Sequence, residues 1–185
     1  MGGGFMSSPI FKVLIVGVVA LALIIIIGSL LSGGESSLDK NLSLKLHIDN
    51  TMETISTYRG NLKSSNLRSS SVSLSSILSN TSRELGDYIA EKYPSYKEGK
   101  EDEDIVEEAT LHSDELNNTL FEAKISGTLD RIYAHKMAYE ISLITTKEES
   151  LLASSRDDDL KNILETSYNS LANLYSNFSD FSETK

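Results

Sequence analysis

The chain has no cysteine, no tryptophan and only two prolines. Without cysteine, no disulfide can staple the fold and no thiol can serve as nucleophile, so a folded domain must hold itself by packing. Redox chemistry at sulfur is left to four methionines. Several motifs are missing as well. No Gly-x-Ser-x-Gly turn exposes a serine nucleophile, and no glycine-rich loop of the P-loop type is present to cradle phosphate. Basic residues are outnumbered, 17 against 27 acidic ones, for a net charge of −10. No Lys/Arg stripe with interleaved aromatics occurs, so nucleic acid is excluded as a partner.

What the chain does have is one long apolar run. Val13 to Leu31, VLIVGVVALALIIIIGSLL, carries no charged residue. As a helix it spans roughly 28 Å, about the hydrocarbon thickness of a bilayer. A core helix would need a polar stripe, which this run lacks. The run is also longer than the apolar region of about 7–15 residues typical of a cleaved signal peptide. Residues 13–31 are therefore expected to be an uncleaved membrane anchor, with cleavage after Gly34 as the alternative. Lys12 precedes the run and Glu35 is the first charge after it. The positive-inside rule then keeps residues 1–12 cytoplasmic and sends residues 38–185 to the outer side, on a tether at 32–37. Met6 stands where a myristoylation signal needs Ser or Thr.

Beyond the tether, helical spacing dominates. Ile48, Met52, Ile55 and Leu62 form one apolar face, and Leu67, Leu74, Leu78 and Leu85 another. LSLKLH, residues 42–47, alternates like a strand, but no second strand is present to pair with it, so it is read as helix. Pro94 ends the second helix after Tyr93. KEGKEDED, residues 97–104, reads as a solvated connection. A third apolar set, Ile105, Ala109, Leu116 and Leu120, is either a full helix or part of a crossover. After Ser126-Gly127-Thr128, with Thr128 as the expected helix cap, come two more sets. The first includes Leu129, Tyr133, Met137, Ile141 and Ile144. The second includes Leu160, Leu164, Leu171 and Phe178. Arg156 to Asp159 forms the turn between them, with acidic residues at the positive end of the last helix.

A faint internal repeat accompanies this pattern. When Leu44 is laid over Tyr133, Ile48 meets Met137, Ile55 meets Ile144 and Leu62 meets Leu151. After a short insertion, Leu78 meets Leu171 and Leu85 meets Phe178. Two similar hairpins joined by a longer connection predict an all-α, antiparallel four-helix bundle. LDRIYAHKM followed by LLASSRDDDLKNIL resembles the second hairpin of a bacterial ferritin-like family of unknown function. Leu129, Asp130, Arg131, Tyr133 and Met137 hold its motif places, and KSSNLRSS, residues 63–70, is similar to its first turn. The resemblance implies a four-helix exoplasmic bundle over roughly residues 40–182. The family places an Asp-His pair soon after the methionine, where this chain reads Ala138-Tyr139-Glu140-Ile141.

Metal chemistry in ferritin-like bundles uses a Glu-x-x-His step on two helices. This chain has none, and His47, His112 and His135 are its only histidines. His135 and Glu140 stand far apart around one helix, so His135 is expected in water. Glu108, His112 and Glu115 share a helix face and could hold a cation with one more ligand. The reading adopted for them is a solvated acidic face. Asp130 and Arg131 read as helix-start and surface residues or an ion pair. No catalytic, cofactor or metal-binding residue is assigned, and no cofactor is expected. The chain is expected to be non-enzymatic: a membrane-anchored interaction or scaffold domain at the cell envelope, attached to the bilayer through 13–31 and acting through a protein partner or self-association. The alternatives are a ligand- or metal-binding ferritin-like module with a degenerate site, and a bundle secreted by signal cleavage.

Overall fold

Long stretches free of proline, with apolar side chains every three or four residues, favour helices that bury one face. The computed structural model describes residues 37–97, 99 and 101–182. The expected anchor, tether start and cytoplasmic segment lie outside them. No helix among the described residues is long and apolar enough to cross a membrane. The described chain is all-helical: α1 (Ser37–Tyr58), α2 (Ser65–Lys92), α3 (Glu103–Ile125), α4 (Leu129–Ser154) and α5 (Asp158–Ser179), with a short 3-10 turn at Arg59–Asn61.

Local chemistry sets the helix ends. Ser64 Oγ accepts from the Leu67 amide at the start of α2. Asp102 and Asp157 do the same for α3 and α5, with Asp157 serving both Asp159 and Leu160. Each satisfies an amide that the first helical turn leaves open. Helix α2 stops at Lys92, immediately before Tyr93-Pro94, as the proline requires. Thr128 does not cap α4 with its side chain. It is engaged in closing α3 instead: its N–H donates to Ala123 O, and Gly127, at φ 75°, donates to Lys124 O. This pair of bonds ends a helix through a left-handed residue, which glycine adopts without steric cost. The Thr128 hydroxyl meets Ser126 Oγ at 2.9 Å.

The packing order is a ring. Helix α1 lies against α2, α2 against α5, α5 against α4, and α4 against α1. Helix α3 sits outside the ring, against α1 and α4. The 104–124 segment is thus a full helix, Glu103–Ile125, added as a fifth member rather than inserted into the ring. The repeat reappears as burial: Leu44 and Tyr133, Ile48 and Met137, Ile55 and Ile144, Leu78 and Leu171 are all buried as matched pairs. Lys147 Nζ donates to Ser43 Oγ at 2.9 Å, while His47 meets Glu140 at 2.7 Å. Residue numbers rise on one helix as they fall on the other, so α1 and α4 run antiparallel.

Asp130 corrects the surface reading given to it. It is buried, and its two oxygens accept from the Lys63 and Ser64 amides at 3.0 and 2.7 Å. The start of α4 therefore holds the turn between α1 and α2. Asp130→Ala would leave two amides without their carboxylate acceptor. It is expected to cost about 2–3 kcal/mol in denaturant unfolding; a loss within about 0.5 kcal/mol, the usual effect of a surface substitution, would return Asp130 to a surface role. Arg131 is exposed, in line with its surface reading.

Candidate metal centre

A charged residue on an apolar helix face demands a partner, because an isolated buried charge is costly. Glu140 is such a residue. It lies between Met137 and Ile144 on the core side of α4 and is 1% exposed. His47 sits in the same way between Leu44 and Ile48 on α1, at 7% exposed. His112, half-buried, comes from α3. The two imidazoles converge on one carboxylate oxygen: His47 Nε2 lies 2.7 Å and His112 Nε2 2.9 Å from Glu140 Oε2. Their rings meet edge to face, with centroids 5.0 Å apart.

The electrostatics follow from this arrangement. Burial works to raise the Glu140 pKa, but hydrogen bonds from His112 and His47 outweigh it and hold the carboxyl below its ordinary value. Burial lowers His47, an effect that its hydrogen bond to Glu140 only partly offsets. His112 is raised, chiefly by its hydrogen bond to Glu140 and against its own burial. Glu140 is therefore an ionised acceptor. Of the two imidazoles, His112 takes on positive charge the more readily, and burial disfavours it at His47. Lys147, about two turns beyond Glu140 on α4, lowers both histidines by its charge.

One donor atom from each of His47, His112 and Glu140 can be chosen so that all lie within 4.8 Å of one another. Four ligands around zinc at about 2.0–2.1 Å stand ~3.3 Å apart. The observed 2.7 and 2.9 Å contacts would need to open by only about half an ångström to admit an ion at that spacing. Two imidazole nitrogens and one carboxylate oxygen suit borderline divalent ions such as zinc. They suit calcium or magnesium poorly, since both prefer oxygen throughout.

The arrangement differs from every grouping the sequence offers locally. Glu108 and Glu115 are exposed, and His112 turns from them to Glu140. His135 is exposed, as its spacing predicts. Glu-x-x-His is absent, and the three ligand-type side chains here come from three helices, one apiece. Sequence reading passed over His47 and Glu140 because they are 93 positions apart. The available signal was a polar residue interrupting each of two apolar stripes.

A second buried polar group lies further along α4. Glu148 is wholly buried, and neither carboxylate oxygen has a hydrogen-bond partner. Asn41 and Ser167 are also buried with unpartnered side chains. Burial pushes Glu148 up to about 8. Asn41 also opens a match to the N-glycosylation pattern, Asn41-Leu42-Ser43, and its complete burial removes it as an acceptor.

No family model matches the chain, and comparisons with curated proteins and with solved structures find no match.

Proposed function

We propose that this chain is a membrane-anchored, extracytoplasmic helical bundle that binds a borderline divalent metal ion through His47, His112 and Glu140. The observation that carries the metal reading is the convergence of three ligand-type side chains from α1, α3 and α4 on one buried point. The charge-free run at 13–31 supports the anchor, and the charge step from Lys12 to Glu35 supports the outward orientation. An antiparallel four-helix core of ferritin-like type, with α3 added outside, is the architecture we assign. The motif residues 129–137 and the matched burial of the two hairpins support it.

The test is metal analysis of the full-length protein purified in detergent without chelating steps, followed by equilibrium dialysis against Zn²⁺. One equivalent retained by the wild type and lost in His47→Ala is the expected result. A Glu108→Gln, Glu115→Gln control, which keeps the cluster but lacks the exposed acidic face, should retain the same equivalent; loss of zinc in that control, or its survival in His47→Ala, would reduce the cluster to a structural hydrogen-bonded triad.

A second reading, an interaction or scaffold domain, is favoured by α3. It leaves Leu111, Phe121 and Ile125 largely exposed, and clustered exposed apolar side chains mark contact surfaces. Crosslinking of the full-length protein in membranes would identify a partner or self-association; a chain that crosslinks to neither would end this reading. The two readings are compatible.

A further inference from the structure

Helix α3 is held unevenly. Its buried residues are Leu116, Leu120 and Ala123, all in its C-terminal half. That half is also tied by polar bonds: Tyr58 OH donates to Asn117 O at 2.9 Å, and Thr54 Oγ1 reaches Asn117 Oδ1 at 3.3 Å. The N-terminal half, residues 103–112, contributes no residue to the hydrophobic core or to the apolar side chains packed around it. Val106 and Leu111 face solvent. Two hydrogen bonds fasten this half to the ring, Asn50 Nδ2 to Ala109 O at 3.1 Å and His112 to Glu140, and the His112 ring meets that of His47 edge to face. A segment with few buried apolar contacts opens more readily than the core it rests on.

We propose that metal occupancy controls the docking of the N-terminal half of α3. The inference rests on the metal reading above and adds its consequence. His47 and Glu140 belong to the ring, on α1 and α4, whereas His112 belongs to the outer helix. A metal bound to all three is a bond between ring and outer helix, placed at the point where apolar packing gives out. Without metal the same junction depends on one imidazole–carboxylate hydrogen bond, one side-chain amide and the edge of one ring against another. With metal, opening residues 103–112 requires loss of a ligand. An ion that prefers the docked state stabilises it by its differential affinity for the two states. Residues beyond His112 are already held by Leu116 and Leu120, so they should respond little. Opening would uncover the His47–Glu140 edge of the α1–α4 seam, so the ion would determine which surface the domain presents outward.

The experiment is hydrogen–deuterium exchange read by mass spectrometry. It uses the full-length protein in detergent, with one equivalent of Zn²⁺, with Mg²⁺, or with a chelator. Bound metal is measured in the same samples. The expected result is that Zn²⁺ slows exchange about tenfold or more in residues 103–112 while 116–125 change little, and that Mg²⁺ has no effect. In His112→Ala the zinc-dependent slowing of 103–112 should vanish. Should that variant lose helix by circular dichroism, the wild-type comparison of Zn²⁺ with Mg²⁺ stands alone. Bound zinc with unchanged exchange in 103–112, or with equal slowing of every helix, overturns the inference and leaves the metal reading intact. Absence of bound zinc overturns both.

Discussion

Replacing Glu148 with glutamine is expected to abolish most of the loss of stability that the domain undergoes between mildly acid and alkaline pH. Glu148 is 0% exposed and has no hydrogen-bond partner, and burial raises it to about 8 from an ordinary 4.5. Below about pH 4.5 the carboxyl is protonated in the folded and unfolded chain alike, and it contributes no pH dependence. As pH rises from there, the unfolded chain releases its proton first, and folded stability falls progressively. Above about 8 both states are ionised and the loss is complete. The interval sets an upper limit of ~4–5 kcal/mol, since each pH unit of separation is worth about 1.4 kcal/mol. Entry of water around the charge would reduce this to a few kcal/mol. Glutamine is nearly the same size and cannot ionise, so its own burial cost is independent of pH. Urea unfolding of both proteins between pH 4.5 and 9.5 should give curves that diverge steadily as pH rises, with the variant the more stable at the alkaline end. Parallel curves would mean that Glu148 finds water or a cation when ionised.

The second large effect is expected at the three-helix cluster. With Zn²⁺ at about a hundred times its dissociation constant, a site confined to the folded state adds ~2.7 kcal/mol. For a domain of this size that corresponds to a rise in Tm of roughly 5–10 °C. His47→Ala removes a ligand buried in the ring and should abolish the rise. Glu140→Ala should do more. It removes the acceptor shared by both imidazoles, so the metal-free protein should itself lose about 2–3 kcal/mol, the upper end of the usual cost of leaving buried donors unsatisfied. Glu140→Gln keeps one acceptor oxygen and should recover part of that loss without restoring the zinc effect. Thermal unfolding of the four proteins with and without Zn²⁺ separates the roles. If Glu140→Gln still shows the full zinc-dependent rise, the carboxylate is a structural acceptor and the ion binds elsewhere.

Much of the secondary structure is legible along the chain, because local physics sets it. Leu67, Leu74, Leu78 and Leu85 mark the buried face of α2 by spacing alone, and Pro94 and Asp157 mark ends of helices. Thr128 misleads for a local reason too. It follows Gly127, and its amide is used to close α3 before its hydroxyl could open α4. Asp130 and Glu140 mislead for a different reason. Asp130 reads as a surface acid and Glu140 is given no role, yet each is buried because its partner arrives from far along the chain: the Lys63 and Ser64 amides for the one, His47 and His112 for the other.

The sequence by itself determined that the described part of this protein is helical, where most of its helices begin and end, and which faces they bury. Those properties depend on neighbours within about one helical turn, and the spacing of side chains records them directly. Only the tertiary structure decided that α3 lies outside the ring and that His47, His112 and Glu140 meet. Contacts between helices depend on which faces come together and in what register. Residues 93 positions apart become hydrogen-bond partners only once α1 and α4 have packed antiparallel.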